Sequence, residues 1–225
     1  MRDLDRKAFS GLLNLLVCMA LAIFLPAWTL HYWQAWVFLG AFFVPALAVT
    51  LHLMKNDPKL LERRVSGGSA AEKETSQKII QGFAAASFLA TLIVPALDHR
   101  FRWSTAPVWG VLAGDALIVL GFCIVFLVFK ENTFTSGIIE VAVEQKVIST
   151  GPYAVVRHPM YIGALVMLLG VPPALGSWWG ELTIIPMTLV IVVRLLGEER
   201  FLVKNLAGYS EYKSTVAYRL VPFLW

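Results

Sequence analysis

The chain has 225 residues, of which 58% are hydrophobic and 15% are charged, and its mean hydropathy is +0.69. Soluble domains carry about 25% charged residues, so this composition excludes an ordinary soluble globule. The net charge of +4 is small and the basic residues are scattered between apolar runs, which excludes nucleic-acid binding through a basic face. The sequence therefore predicts an integral membrane protein with one integrated domain.

Apolar runs of spanning length divide the chain into helical segments. Only helices take isolated apolar runs across lipid, because each backbone amide is then satisfied within its own segment. The runs are residues 11–30, 34–54, 79–97, 107–129 and 161–196. The last run is broken at 176–180, which predicts a tight hairpin whose arms of about 16 residues fall slightly short of a hydrocarbon core of about 30 Å. The predicted fold is an all-α polytopic membrane bundle of about six helical segments.

The basic residues indicate how this bundle lies in the membrane. Of the 19 Lys and Arg residues, only Arg100 and Arg102 fall on one predicted face. By the positive-inside rule the other face, which carries both termini and a loop near residues 55–78, is cytoplasmic. Four membrane helices are expected in 1–129, followed by a region at 130–225 that includes two polar stretches at the cytoplasmic surface. A water-soluble cofactor is expected to bind in a pocket there.

Residues 151–163 read Gly-Pro-Tyr-Ala-Val-Val-Arg-His-Pro-Met-Tyr-Ile-Gly and place polar groups directly before an apolar run. Proline is favoured at the first helical position, so a helix is expected to begin at Pro159 with His158 as its cap. The free amides and positive dipole end of that helix would form an anion site, to which Arg157 and His158 add donors. Tyr161 in the first turn offers a hydroxyl.

A second interpretation of the same segment involves no ligand. Arg157 and His158 can be an interfacial pair at the end of a membrane helix. Gly163 is expected where backbone or ligand comes close, and Gly170 lies on nearly the same helix face. Both glycines can simply be helix-packing residues.

Two adjacent acids near the end of the last apolar run form a second candidate element. Arg194 and Glu198 are four residues apart on one helix face and are expected to pair. The helix is expected to continue past Glu199 to a C-cap at Gly208, because its apolar stripe continues. The acids can be solvated helix ends, or they can hold a cation.

Other polar groups within the apolar runs indicate less. Asp115 is expected to be a neutral or hydrogen-bonded partner of Gln81, Ser87 or Thr91. Cys18 and Cys123 are expected to fill the core of the bundle, and no metal site is predicted because neither has a ligand partner at a suitable spacing.

Four features in the C-terminal part of the sequence resemble a known family: the motif at 150–163, the acid pair at 198–199, Tyr209-x-x-Tyr212 and Arg219-x-x-Pro222. The family is that of the isoprenylcysteine carboxyl methyltransferases, especially its small prokaryotic members. A more distant resemblance is to the phospholipid N-methyltransferases. The resemblance covers roughly 131–222. It implies a membrane methyltransferase that uses S-adenosylmethionine, with 130–225 as the catalytic region. The implied cofactor-binding residues are Gln145, Lys146, Val147, Ile148, Tyr153, His158, Met160, Tyr161 and Glu198.

The resemblance also implies the rest of the chemistry. Arg194 corresponds to an arginine that faces the methyl acceptor, and Arg157, Tyr161, Glu198 and Glu199 complete the expected catalytic set. Methyl transfer is an in-line displacement, so the protein chiefly aligns the acceptor and excludes water. The acceptor is expected to be a lipophilic small molecule or prenylated substrate that enters from the bilayer. The protein is expected to lie in a prokaryotic inner membrane with both termini on the cytoplasmic side.

Two other functional classes compete with this one. Membrane sterol or enone reductases that use NADPH share a similar His-Pro-x-Tyr-x-Gly segment, but they usually carry an acid where Ala164 stands here. A non-catalytic scaffold or transporter is the third class, and the spans show no repeated half that would favour it. The sequence indicates no oligomeric state and no nucleic-acid partner.

Overall fold

The computed structural model describes residues 3–67, 75–142 and 144–225, and within these ranges the chain is helical without strands. Five helical stretches are long and apolar enough to cross a membrane, which confirms the predicted membrane bundle. The helices are α1 (Asp3–Ala27), α2 (Trp33–Asn56), α3 (Pro58–Ser66), α4 (Thr75–Phe101), α5 (Val108–Glu131), α6 (Pro159–Ala174), α7 (Ile184–Asn205) and α8 (Tyr209–Thr215). Short 3₁₀ turns at Gly151–Ala154 and Trp179–Thr183 precede α6 and α7.

The outer surface of the bundle is apolar, as lipid contact requires. Leu13, Val44 and Leu189 are 60%, 70% and 61% exposed, respectively. Side chains of this kind on several helices would be unfavourable in water, because large exposed apolar patches are rare on soluble monomers. The buried side chains of the main core come from α1, α2, α4, α5 and α6, so the helices form one integrated bundle.

The final hairpin has one short arm and one long arm. Helix α6 has 16 residues, spans about 24 Å at 1.5 Å per residue, and ends at Ala174, directly after Pro172 and Pro173. The second arm runs from Trp179 through Asn205, which makes it 27 residues long. The helix therefore continues past Glu199 as expected, but its cap is Leu206. Gly208 is in the left-handed conformation, at φ +83°, in the turn that leads into α8.

Glycines hold α6 tightly against α5. A Cβ atom added to Gly170 would lie 2.4 Å from the carbonyl oxygen of Gly114, and one added to Gly121 would lie 2.6 Å from that of Gly163. These distances are far below van der Waals contact, so the two backbones touch directly. The expected close approach at Gly163 and Gly170 is confirmed, and its partners are Gly114 and Gly121 of α5.

The loop expected near 55–78 contains a helix that the sequence reading did not anticipate. Helix α3 begins at Pro58, and the Asp57 side chain caps it by accepting a hydrogen bond from the Leu60 amide at 3.0 Å. Leu60 and Leu61 are buried against α1, α2 and α5 residues, which anchors α3 beneath the end of the bundle. Lys73, one of the basic residues used for the orientation, lies outside the described residues, as does Arg2.

Polar groups also join the helices at the opposite end of the bundle. Asp98 is 1% exposed, and its carboxylate accepts hydrogen bonds from the Ser104 amide and hydroxyl, each at 2.6 Å, and from the Ser177 hydroxyl. Tyr32 donates to the carbonyl of Leu175 at 2.5 Å. These bonds join the end of α4 and the start of α2 to the turn of the final hairpin, and so fix the end of α6 that is remote from its polar N-terminus.

Candidate functional site

One cavity of about 1230 Å³ extends from the polar loops after α5 into the space between the membrane helices. Its walls come from α1, α2, α3, α4, α5, α6, α7 and α8 and from the segments 132–140 and 145–148. Single ligand sites commonly measure about 300–1,000 Å³, so this cavity has room for more than one small ligand. The polar end is lined by 145–148 and the start of α6, and the apolar end by side chains of α2, α4 and α5 such as Phe42, Phe88 and Phe122.

The structure brings most of the expected site residues to this cavity. Those that line it are Gln145, Lys146, Val147, Ile148, Tyr153, Arg157, His158, Met160, Tyr161, Arg194 and Glu198. Glu199 is the exception, because it does not line the cavity. The start of α6 and the end of α7 therefore both line one cavity, and the expectation that their residues bind a cofactor stays a prediction.

Tyr161 and Glu198 form the direct contact between these two helices. The Tyr161 hydroxyl donates a hydrogen bond to Glu198 Oε2 at 2.6 Å. Helix α6 begins at Pro159 with His158 as its cap, as expected, and this start places Tyr161 in the first turn. Glu198 reaches it because α7 continues past Gly197 instead of ending there. A carboxylate is thus held at the cavity wall in a fixed orientation.

Glu199 faces the opposite direction and is the centre of a buried ion cluster. It is 4% exposed and accepts hydrogen bonds from Arg157 Nε at 2.7 Å and from Arg219 Nε at 3.0 Å. The Nε2 atom of His158 lies 3.3 Å from the same carboxylate. A carboxylate held by two guanidinium groups is strongly stabilised in its charged form. The cluster joins α7, the segment before α6 and the C-terminal tail.

Arg157 is the residue whose role the geometry changes most. Besides Glu199, its guanidinium donates through Nη1 to the carbonyls of Val216 at 2.6 Å and Ala217 at 2.8 Å. Its backbone amide donates to the carbonyl of Tyr218, and that of His158 to the carbonyl of Arg219. Arg157 therefore holds the tail against the start of α6, and three of its side-chain hydrogen bonds are made within the protein. This arrangement does not favour the anion-donor role expected for it at the helix terminus.

Aromatic residues of α8 support the wall formed by 145–148. Val147 packs in a cluster with Leu206, Tyr209 and Tyr212. Tyr212 donates to the carbonyl of Tyr153 at 2.8 Å, and the Tyr153 hydroxyl accepts from Asn132 Nδ2 at 3.0 Å. Burial raises the pKa of Tyr153 to about 12, although the Asn132 hydrogen bond opposes this shift. The Tyr153 hydroxyl is therefore protonated at neutral pH.

One buried polar atom at this wall lacks a partner in the described part of the chain. The buried hydroxyl of Tyr209, which lines the cavity, makes no hydrogen bond to any described residue. Buried polar groups are usually satisfied, so this hydroxyl is suited to a polar ligand. Next to it, the amides of Lys146, Val147 and Ile148 donate to no backbone carbonyl within the described ranges.

Arginines from two different helices hold the loop that covers the cavity. Arg64 Nη1 donates to the carbonyl of Ser136 at 3.0 Å, and Arg194 Nη2 donates to the carbonyl of Gly137 at 3.1 Å. Both arginines line the cavity. Sequence reasoning identified Arg194 but missed Arg64, although the Asp57-Pro58 helix-start signal would have placed Arg64 on a helix. The expected Arg194–Glu198 pair stays a prediction.

Asp115 does not have the partners that the sequence reading expected. It is 7% exposed, and neither carboxylate oxygen makes a hydrogen bond to a described residue. Thr91, one of the expected partners, donates instead to the carbonyl of Phe88 on its own helix. Asp115 lies near the start of α5, whereas the polar end of the cavity lies beyond the other end of that helix. The hydrogen-bonded role expected for Asp115 is therefore wrong for the described residues.

No group of three or more acidic, histidine or cysteine residues suited to a metal ion occurs among the residues described. Cys18 and Cys123 are free, and both are exposed on the surfaces of their helices. The interpretation of these cysteines as internal filler is wrong, because the apolar runs that contain them face outward at both positions.

Comparison with known proteins gives one match. Residues 109–208 match a family model described as phospholipid methyltransferase, and no curated protein matches the chain. The matched segment begins earlier than the expected 131, so it includes α5 with the glycines that contact α6, and it ends before α8. Together with the five apolar helices, this match indicates a membrane methyltransferase.

Proposed function

We propose that this protein is a membrane methyltransferase that uses S-adenosylmethionine to methylate a lipophilic acceptor, in the manner of the isoprenylcysteine carboxyl methyltransferases. The observation that carries the proposal is the Tyr161–Glu198 contact at the wall of a cavity large enough for a cofactor and an acceptor. The bound cofactor would supply an electrophilic methyl group on a sulfonium, which leaves as a neutral thioether when the acceptor lone pair attacks the methyl carbon.

The residues at the polar end fit such a cofactor by charge and by hydrogen-bonding capacity. Glu198 offers a carboxylate to the cationic ammonium and sulfonium groups. The unpaired hydroxyl of Tyr209, together with the amides of 146–148 that donate to no described backbone carbonyl, offers donors to the adenosine and carboxylate oxygens. Because Glu198 is held by Tyr161 on a helix, its position is set before any ligand binds, which reduces the ordering cost of binding.

The task of the remaining residues is to align the acceptor and exclude water. The loop at 132–140 covers the cavity, and the arginines that hold it also lie at the cavity wall. A carboxylate acceptor needs no general base, whereas an amine or a thiol must first lose a proton. Glu199 is engaged by its ion cluster and the Tyr153 hydroxyl is protonated, so these two residues do not supply a base.

Binding of S-adenosylhomocysteine to the purified protein tests the cofactor assignment. Calorimetry should detect binding to the wild type, and Glu198→Gln should abolish it because the ammonium group of S-adenosylhomocysteine loses its carboxylate partner. Asp115→Asn is the matched control, since this buried acid does not line the cavity, and it should leave the affinity unchanged. Equal effects of the two substitutions, binding of NADPH in place of the nucleoside, or no binding by a folded wild type would each contradict the proposal.

A further inference from the structure

Arg64 places a positive charge in the cavity from outside the matched segment. It lies on α3, whereas the family model matches 109–208. Its guanidinium reaches the carbonyl of Ser136 at 3.0 Å, and the guanidinium of Arg194 reaches the adjacent carbonyl of Gly137 at 3.1 Å. Two arginines from opposite ends of the sequence therefore converge on neighbouring atoms of one loop, and both line the cavity.

Basic side chains outnumber acidic ones along the cavity lining, although one of them, Lys7, is paired with Asp3 at 2.8 Å. The charge of Arg157 is matched by Glu199, at 2.7 Å. Burial lowers the pKa of the Arg64 guanidinium, and the nearby charge of Arg194 lowers it further. Like charges in a partly desolvated cavity repel, and an anion between them relieves that repulsion. The other charged residues that line the cavity are Lys7, Arg64, Lys146 and Arg194, against the acidic Glu140 and Glu198.

We propose that Arg64, beside Arg194, binds an anionic group of the methyl acceptor and so selects acceptors that carry a carboxylate or a phosphate close to the methylated atom. This inference rests on the proposed function and adds a specificity-determining residue to it. The chemistry common to both acceptor types is an oxyanion, which guanidinium donors bind in a planar, bidentate manner.

The hydrogen bonds of Arg64 leave donors for such a ligand. A guanidinium has five N–H donors. The contacts of Arg64 with described residues are the Ser136 carbonyl, the sulfur of Met160 at 4.0 Å and the face of the Phe129 ring at 5.5 Å. Its donors are therefore not saturated by the protein, in contrast to those of Arg157.

The neighbouring Arg63 provides a matched control. It lies one residue away on α3 and fastens the same loop, because its Nη1 donates to the carbonyl of Thr133 at 2.7 Å. Its guanidinium also lies over the Phe134 ring at 5.2 Å. Arg63 does not line the cavity. If Arg64 only fastened the loop, substituting either arginine should have the same effect on ligand binding.

The test measures binding of paired probes to the full-length protein in detergent, with S-adenosylhomocysteine present. One pair is an S-prenyl-N-acetylcysteine and its uncharged methyl ester. The other pair is a short-chain phosphatidylethanolamine and the corresponding diacylglycerol. We expect the wild type to prefer the charged member of one pair, which identifies carboxylate or phosphate as the recognised group. Arg64→Gln should weaken the binding of that charged probe by about 10- to 100-fold and leave the affinity for its uncharged counterpart unchanged.

Two further variants define a positive result. Arg64→Lys should give an intermediate loss, because it keeps the charge but not the planar donor pair. Arg63→Gln should change the affinity for the charged probe by less than about threefold, because Arg63 contacts the loop from outside the cavity. Throughout, the affinity of the Arg64 variants for S-adenosylhomocysteine should match that of the wild type.

Three results with the probe pairs would overturn the inference. The wild type could show no preference for either charged probe, Arg64→Gln could weaken binding of charged and uncharged probes equally, or the Arg63 and Arg64 variants could lose the same affinity for the charged probe. Loss of nucleoside binding in Arg64→Gln would also overturn it, because Arg64 would then serve the cofactor. Failure of the wild type to bind S-adenosylhomocysteine would instead contradict the proposed function. Titrations of the probe pairs in the absence of S-adenosylhomocysteine would still report on the anion site.

Discussion

At the scale of single residues, the hydrogen bond from Tyr161 to Glu198 determines how the cavity carboxylate is presented. Tyr161→Phe removes the donor at 2.6 Å and leaves Glu198 free to turn. We expect the affinity for S-adenosylhomocysteine to fall about tenfold, which corresponds to about 1.4 kcal/mol. Calorimetry measures this directly. Tyr218→Phe is the control, because Tyr218 does not line the cavity, and an equal loss in both variants would refute the positioning role.

Glu199 has a structural role that a second residue-scale prediction can separate from ligand binding. Glu199→Gln would leave the buried Arg157 without its 2.7 Å carboxylate partner. Removing one member of a buried ion pair destabilises a protein by about 3–5 kcal/mol. We expect a clearly lower midpoint of thermal unfolding in detergent, whereas Glu198→Gln should retain the wild-type midpoint and lose only cofactor affinity. The reverse pattern would show that the roles of these two acids are exchanged.

The sequence alone could place these two acids on different faces, but could not assign the faces. Successive residues of an α-helix are separated by about 100°, so Glu198 and Glu199 must point in different directions. Which of them meets the cavity depends on where Arg157 and Arg219 lie, and these residues are brought to Glu199 by the path of the C-terminal tail. No short-range pattern specifies that path. The local prediction that α6 begins at Pro159 succeeded because proline chemistry alone determines it.

At the scale of elements, the contact between α5 and α6 depends on glycine. Gly170→Ala would place a Cβ atom 2.4 Å from the carbonyl of Gly114, and both are backbone positions that cannot rotate away. Overpacking of this kind costs about 1–3 kcal/mol, so we expect a lower thermal midpoint and lower cofactor affinity as α6 shifts. Gly82→Ala on α4 is the control, since nothing lies within 4 Å of its added atom.

The control substitution, Gly82→Ala, makes a prediction of its own about helix α4. Alanine stabilises a helix interior relative to glycine by about 0.5–1 kcal/mol. Gly82→Ala should therefore equal or exceed the wild type in thermal stability. If Gly170→Ala did the same, the two backbones would not be in direct contact, and the account of how α6 is placed beside the cavity would be wrong.

Helix α3 shows what a reading based on hydropathy overlooks. The segment near 55–78 is polar and was predicted as a loop, because only spanning apolar runs were used to place helices. Its buried face consists of little more than Leu60 and Leu61, which is too short a stripe to be recognised by periodicity. The capping signal of Asp57 followed by Pro58 was present and would have identified the helix. Overlooking this helix meant that Arg64, which lies on it and is part of no recognised motif, was not identified as a site residue.

At the scale of the whole molecule, the candidate site requires more than the segment that matches the family. The match covers α5 through α7, yet the cavity is also lined by α1, α2, α3, α4 and α8. The matched part supplies Tyr161, Arg194 and Glu198, whereas the apolar end and Arg64 come from elsewhere. We infer that the matched segment carries the methyl-donor chemistry of the proposed function and that the surrounding helices select the acceptor.

The distribution of charge predicts how the bundle is oriented in the membrane. The polar end of the cavity carries Lys146 and Arg194, whereas the opposite end of the bundle carries Arg100 and Arg102, so the positive-inside rule places the cavity at the cytoplasmic face. In a bacterial host, a membrane-impermeant maleimide should therefore label Thr105→Cys in intact cells and label Ser214→Cys only after the cells are lysed. Both positions are exposed. The parent chain, in which Cys18 and Cys123 lie on membrane helices, should remain unlabelled in both conditions. Labelling of Ser214→Cys in intact cells would place the cavity outside, where a cytoplasmic nucleoside cofactor does not reach it, and the proposed function would fail with the topology.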